Sequence, residues 1–332
     1  MLNKEQKLSK KIFLKSIDLK ATRDGYGEGL VEAGEKDERV VVLCSDVTES
    51  TRSHLFKEKF TERFIEVGVA EQALVTVASG MANYGKIPFI SAYAVFSPGR
   101  NWEQIRTTVC LNNVPVKIGG GHAGLTVGPD GATHQALEDI ALMRVLPNMA
   151  VIVPADAIEA KKVVLAAVKT AKPTYIRFER EVSPIFTSEK SPFQIGKAET
   201  LWTSKNPQVA IVACGPLVYE SLLSVKELDK KGIETIVINN HTIKPLDERL
   251  IIRAAKTTGA IVTVENHQVS GGLGSAVAEV LAKNFPVPIE FVGVQDCFGE
   301  SGKPEELMKK YGLRKENIIE AAKKVILRKK TE

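Results

Sequence analysis

Two of the chain's five histidines stand in one glycine-rich stretch, GGGHAGLTVGPDGATHQ, where the order is His122, Asp130, His134. Imidazoles can move protons or hydrogen-bond an oxygen as charge develops on it. Glycine-rich segments supply little of the packing that makes a core histidine ordinary, and loops carry function disproportionately. The competing reading is a helix start, with Asp130 or Thr133 as its cap. A zinc site is set aside here, because no cysteine lies nearby and the spacing of the two histidines matches no usual ligand pattern.

Other residues invite similar pairs of readings. Glu71, in IEVGVAEQALV, either faces a ligand nitrogen or is a first-turn acid stabilised by the helix dipole. Arg23 in KATRDG and the pair Arg177 and Arg180 in YIRFER either clamp a phosphate or make surface ion pairs. Phe89, Tyr93 and Phe96, in PFISAYAVF, either line an aromatic pocket or fill the core. The stretch SGGLGSAV, Ser270 to Val277, carries neither phosphate-loop pattern and reads as a tight turn into a helix.

The elements that must position these groups are legible as apolar runs. RVVVLCSD, RFIEVG, IPFISAY, VPVKIGG, MAVIVPAD and PTYIRFER predict strands, most of them buried on both faces. Helical stretches separate several of them, and SIDLKATRDGYGEGLVEAGEK predicts a helix before the first. That alternation predicts a parallel sheet covered by helices. In such sheets ligands lie beyond the carboxyl ends of the strands. Asp46 follows the first strand, Glu71 the second, Tyr93 the third and His122 the fourth, with Arg177 and Arg180 ending the last.

Near residue 195 the texture turns to prolines, serines and weak periodicity, which reads as a linker with an edge strand. A second alternation follows, with strands at QVAIVACG, ETIVINN, AIVTVEN and PIEFVGV. The expected architecture is therefore two consecutive α/β domains with mainly parallel sheets, over 14–195 and 196–328.

At 332 residues, 44% hydrophobic and 26% charged, the chain can bury two ordinary cores. Its net charge of +5 is mild, and the basic ends NKEQKLSKK and KKVILRKKTE read as solvated tails. No basic stripe with interleaved aromatics points to nucleic acid, whereas anionic small molecules need only a few arginines. Cys44, Cys110, Cys214 and Cys297 form no C-x-x-C pair, and Cys44 and Cys214 end apolar runs as buried thiols. With no leader pattern and no membrane-length apolar run, the expected compartment is the cytoplasm.

Taken together, FIEVGVAEQAL, PFISAYAVFSPGRNWEQIR, GHAGLTVGPDGATHQALEDIALMRVLPNM and YIRFEREVSP resemble the pyrimidine-binding domain of transketolases. INNHTIKPLDE and VENHQVSGGLGSAVAEVL resemble the transketolase C-terminal domain. The resemblance covers nearly the whole chain, with departures at Gln72, Pro129 and Ala132. It implies a transferase of two-carbon ketol units between sugar phosphates that uses thiamine diphosphate. Absent is the domain that binds the cofactor's diphosphate and its Mg2+ or other divalent cation. The resemblance thus implies the C-terminal subunit of a split transketolase, in an α2β2 assembly with a separate N-terminal subunit and inactive alone.

By the same resemblance Glu71 would hydrogen-bond the cofactor's pyrimidine nitrogen, Phe89, Tyr93 and Phe96 would hold its ring, and Asp46 would lie near it. His122 and His134 would act on substrate oxygens. Asp130 would contact a sugar hydroxyl, and Arg23, Ser50 and Arg180 would bind the sugar phosphate. Three alternatives share the layout: a 1-deoxyxylulose-5-phosphate synthase-like chain, a 2-oxoacid dehydrogenase beta-type subunit, and a non-catalytic binding module.

Overall fold

Apolar β-branched runs with no polar face build the centre of the molecule. Val40–Cys44 is buried at every residue, as is Val209–Ala213. Strands of that kind suit a parallel sheet covered on both sides.

The computed structural model describes residues 1–329. Its strands are β1 (Leu19–Ala21), β2 (Val40–Cys44), β3 (Phe64–Glu66), β4 (Ile87–Tyr93), β5 (Lys117–Gly121), β6 (Ala150–Ile152) and β7 (Thr174–Arg177). These are followed by β8 (Val182–Pro184), β9 (Glu199–Thr203), β10 (Val209–Ala213), β11 (Thr235–Asn239), β12 (Thr242–Lys244), β13 (Ile261–Gln268) and β14 (Ile289–Val294). The helices are α1 (Thr22–Lys36), α2 (His54–Lys59), α3 (Glu71–Asn83), α4 (Trp102–Gln104), α5 (Asp139–Arg144) and α6 (Ala157–Val168). In the second half come α7 (Leu217–Lys230), α8 (Glu248–Thr258), α9 (Leu273–Asn284), α10 (Pro304–Lys310) and α11 (Lys315–Lys329).

The larger sheet has seven strands in the order β12-β6-β7-β5-β4-β2-β3. All its pairings are parallel except that of β12 with β6. Its strand order reverses between β2 and β4, the crevice where open α/β sheets take ligands. The second sheet runs β14-β13-β10-β11-β9, parallel except at its β9 edge. The expected α/β architecture with mainly parallel sheets is thus present in both halves.

One face of the first sheet packs on α1 and α6 through Tyr26, Leu30, Val163 and Val164. A Cβ on Gly29 would come within 2.8 Å of Val164 Cβ, so glycine lets α1 and α6 close. The other face packs on α3 through Leu74 and Ala78. It continues into the second sheet through Val151, Tyr175, Val212 and Ile238. The two sheets therefore share one core instead of standing apart.

Four sequence expectations change here. Leu19–Ala21 of the supposed first helix is β1, paired antiparallel with β8, and the helix begins at Thr22. Of the helical stretches expected between strands, the one that begins at α4 continues as a π-helical stretch over Ile105–Cys110. Lys4–Gln6 is a short helix, and the Asn3 amide donates to Leu201 O at 2.9 Å, so the N-terminus is bound down rather than a free tail. At the other end, Val325 and Ile326 are buried on α11, so its lysines line an amphipathic helix. The last three residues of that expected tail, 330–332, lie outside the described residues. Cys44, Cys110 and Cys214 are buried free thiols.

Candidate active site

At the carboxyl edge of the first sheet the predicted groups converge from separate elements. Tyr93 ends β4, and its ring stacks on His122 with centroids 4.1 Å apart. Phe96 lies nearly parallel to Tyr93 at 6.3 Å and meets the His134 ring edge-on at 5.5 Å. The chain bends sharply to achieve this. Asp46, Arg52 and His122 adopt positive φ values of 57°, 65° and 52°. Such conformations cost free energy in non-glycine residues and gather at functional sites.

His122 is almost completely buried. Burial first, and then the positive charges of Arg23, Arg180 and Arg52, push its pKa down to about 3. It is therefore a neutral imidazole at neutral pH, able to donate one hydrogen bond and accept another. Its Nδ1 has no hydrogen-bond partner among the described residues, and neither do the buried Ser45 Oγ and Arg23 Nε. Buried polar atoms are normally satisfied, so these three fit an edge built to receive a polar ligand. His134 is partly exposed, with Nδ1 2.9 Å from Thr133 Oγ1.

Glu71 opens α3 and is only 3% exposed. Its Oε2 accepts from Arg100 Nη1 at 2.8 Å, and the Arg100 guanidinium also lies 4.8 Å above the Phe96 ring. Arg100 was not legible as a site residue, because nothing in its spacing marks it. Asp46 is exposed, and its amide donates to Glu66 Oε1 at 2.8 Å.

Three guanidiniums define the basic side of this edge. Arg23 Nη1 donates to Ser50 O at 3.2 Å, and Arg52 Nε pairs with Asp24 at 2.6 Å. Arg180 Nη1 donates to Val127 O at 3.2 Å and lies 3.5 Å from Asp130 Oδ1. Burial and then the charge of Arg52 lower the pKa of Arg23. Repulsion of this kind is relieved by an anion. Arg52 is an addition to the residues expected from sequence.

Two expectations fail on position. Phe89 sits four residues upstream of Tyr93 on β4, fully buried in the core beside Tyr26 and Ile176, and does not reach the edge. Arg177 cannot clamp a ligand. Its Nε donates to Asp139 Oδ2 at 2.8 Å, and its Nη2 donates to Asn266 O at 2.8 Å and to Ala136 O at 3.2 Å. Burial opposes its charge, but Asp139 and Glu179 outweigh that and hold it protonated.

That buried arginine belongs to a network that braces the histidine loop from the second half of the chain. Asn266, on β13, accepts from the Leu125 amide at 3.0 Å and donates to Glu179 Oε1 at 3.1 Å. Thr126 Oγ1 donates to the other oxygen of Glu179 at 2.6 Å. Asn266 also packs directly on Gly124, whose φ is +77°, leaving no room for a side chain there. The preceding glycines lie in and at the end of the strand expected at VPVKIGG. They form β5, where a Cβ on Gly121 would lie 2.6 Å from the Phe178 ring and one on Gly119 or Gly120 would strike Tyr26 or Tyr175.

Known proteins match along both halves. The family model described as "Transketolase, pyrimidine binding domain" matches residues 19–184, and "Transketolase, C-terminal domain" matches residues 196–318. The chain is 43% identical over 316 residues to a transketolase C-terminal section from Methanocaldococcus jannaschii, covering 94% of this chain and 98% of that one. It is 40% identical to a 6-deoxy-6-sulfo-D-fructose transketolase subunit, SqwH, from Clostridium sp., covering 92% and 95%. Its fold matches a solved split-gene transketolase, described as an inactive beta4 tetramer, with a TM-score of 0.86, 44% identity and coverage of 92% and 98%. Against the human transketolase it is 35% identical and spans 49% of that protein's length.

Proposed function

This chain belongs to the transketolase family, carrying its pyrimidine-binding and C-terminal domains, and on that premise we propose that it is the C-terminal subunit of a split transketolase. The observation that carries the reading is the meeting of Glu71, the Tyr93 and Phe96 rings, two histidines and an arginine cluster at one sheet edge. The full-length relatives are about twice as long, and the relatives of equal length are a C-terminal section and a subunit. The diphosphate end of thiamine diphosphate, with Mg2+ or another divalent cation, then falls to a separate N-terminal subunit in an α2β2 assembly.

When bound, the cofactor supplies the carbon–carbon bond chemistry and carries the two-carbon unit. This chain's groups orient and stabilise. Glu71 offers its carboxyl to the aminopyrimidine ring, sharing it with Arg100, while Tyr93 and Phe96 present flat faces for stacking. Asp46, exposed at the same edge, would lie near that ring. His122, neutral and desolvated, hydrogen-bonds the substrate oxygen on which charge develops. His134, more exposed, moves a proton to or from a substrate hydroxyl. Asp130 receives a sugar hydroxyl, and Arg23, Arg180 and Ser50 hold the sugar's terminal anion.

Glu71→Gln in the assembled pair tests this most locally. Formation of sedoheptulose 7-phosphate from xylulose 5-phosphate and ribose 5-phosphate should fall by about 100-fold or more, with assembly unchanged. Because a sulfonate presents three oxygens much as a phosphate does, 6-deoxy-6-sulfofructose belongs in the same donor panel. Release of carbon dioxide from pyruvate, without ketol transfer from any sugar, would replace this reading with a 2-oxoacid-using one.

A further inference from the structure

A second cluster of titratable groups lies inside the seam between the two sheets, away from the edge described above. Glu159 comes from the first turn of α6, Glu199 from the edge strand β9, and His241 from the turn joining β11 to β12. One ligand atom from each lies within 4.8 Å of the others, and all three residues are buried. We propose that Glu159, Glu199 and His241 form a binding site for a divalent transition-metal ion of the zinc class, clamping the two halves of the chain together.

The donor set is one imidazole nitrogen and two carboxylates, a combination that Zn2+ accepts. Ligand atoms held at about 2.0–2.2 Å from a tetrahedral ion stand roughly 3.4 Å apart, so closure requires movement on the order of 1 Å. Glu159 and His241 are already oriented by neighbours, as metal ligands usually are. Glu159 Oε2 accepts from the Ala155 amide at 2.6 Å, and Oε1 accepts from Asn239 Nδ2 at 2.8 Å. His241 Nδ1 lies 2.8 Å from Thr242 Oγ1, which leaves Nε2 turned to Glu199 Oε1 at 3.1 Å.

What this arrangement lacks among the described residues is a full set of partners. Glu199 is 8% exposed, and its Oε2 is buried with no hydrogen-bond partner. Asn239 Oδ1, on the side chain that already holds Glu159, is buried and unpartnered as well. Nearby Asp156 is not free to join, because it accepts from the Phe186, Thr187 and Glu159 amides and the Thr187 hydroxyl. Lys162, the nearest lysine on α6, is held by the Ser188 and Ser191 carbonyls at 2.5 and 2.7 Å.

Charge favours the same occupant. Two ionised carboxylates and a neutral imidazole are neutralised by one divalent cation, which removes the cost of isolated buried charge. The Phe193 ring covers His241 at 4.4 Å, and Phe193 lines a surface depression with Lys162 and Ser191.

The test is metal binding by the full chain, stripped with EDTA and exchanged into chelator-free buffer. Zn2+ should bind at one equivalent per chain and raise the Tm until that equivalent is reached, while Mg2+ should not. Co2+ should give the absorption bands of a four-coordinate nitrogen–oxygen site. Glu199→Gln, which keeps the shape and a hydrogen-bonding amide, should weaken Zn2+ at least about tenfold and abolish the Tm rise. Glu159→Gln provides the same readout if that variant fails to fold. Cys297→Ser removes the exposed thiol and should bind Zn2+ as the parent does. No stoichiometric Zn2+ binding, or binding lost in Cys297→Ser and indifferent to both glutamine variants, would overturn the site.

Discussion

His122 joins three facts that seldom meet in one side chain: a strained backbone, a stacked aromatic neighbour and a buried nitrogen without a partner among the described residues. Its spacing in sequence raised the question of function but could not distinguish a working loop from a helix start capped by Asp130 or Thr133. The deciding information is its surroundings. Burial and three arginines hold its pKa near 3, against 6.5 for a free imidazole. The linkage has a definite sign: the unfolded chain takes up a proton below about pH 6.5 that the folded chain refuses. Stability is therefore fully present above that pH and lost as pH falls toward 3. By pH 5 the group alone costs about 2 kcal/mol. His122→Asn should accordingly show a smaller drop in Tm between pH 7 and pH 5 than the parent chain. Equal drops would mean that His122 is protonated in the fold. Arg52 and Arg100, by contrast, escaped notice because arginine is common on surfaces and only tertiary contacts distinguish a working one.

Elements explain what the residues could not. The strand expected at VPVKIGG is β5, and its glycines 119–121 press against the rings of Tyr26, Tyr175 and Phe178. The strands most legible in sequence were those buried on both faces, such as β2 and β10, where apolar runs leave one reading. Short elements stabilised by pairing alone, β1, β8 and β12, left no periodic trace. Asn266 belongs to this scale, since it holds the histidine loop from another element. Asn266→Ala should remove its bonds to the Leu125 amide and Glu179 and lower stability by about 1–3 kcal/mol. If the loop is braced as described, kcat should also fall by about tenfold while KM for the acceptor sugar changes little. A stability loss with unchanged kcat would reduce Asn266 to a structural role.

At the scale of the whole molecule, the second half of the chain is built into the first. β12 completes the first sheet, the core runs across the seam, and Asn266 reaches the active-site loop. Two α/β units were legible from the alternation of strands and helices. Their interlocking was not, because β12 and the buried Arg177–Asp139 pair depend on contacts far apart in sequence. No described helix is long and apolar enough to cross a membrane. The edge of the first sheet carries a carboxyl group, aromatic faces, imidazoles and a cluster of arginines, which the proposed function assigns to one end of the cofactor and the sugar. In the proposed assembly, catalysis begins only when a second polypeptide supplies the remainder. The direct measurement titrates this chain with the purified N-terminal subunit in the presence of thiamine diphosphate and Mg2+, following sedoheptulose 7-phosphate. Neither chain alone should give product, and the rate should saturate at one partner per chain. Ketol transfer by this chain alone, or none from a fully assembled pair, would contradict the proposed function.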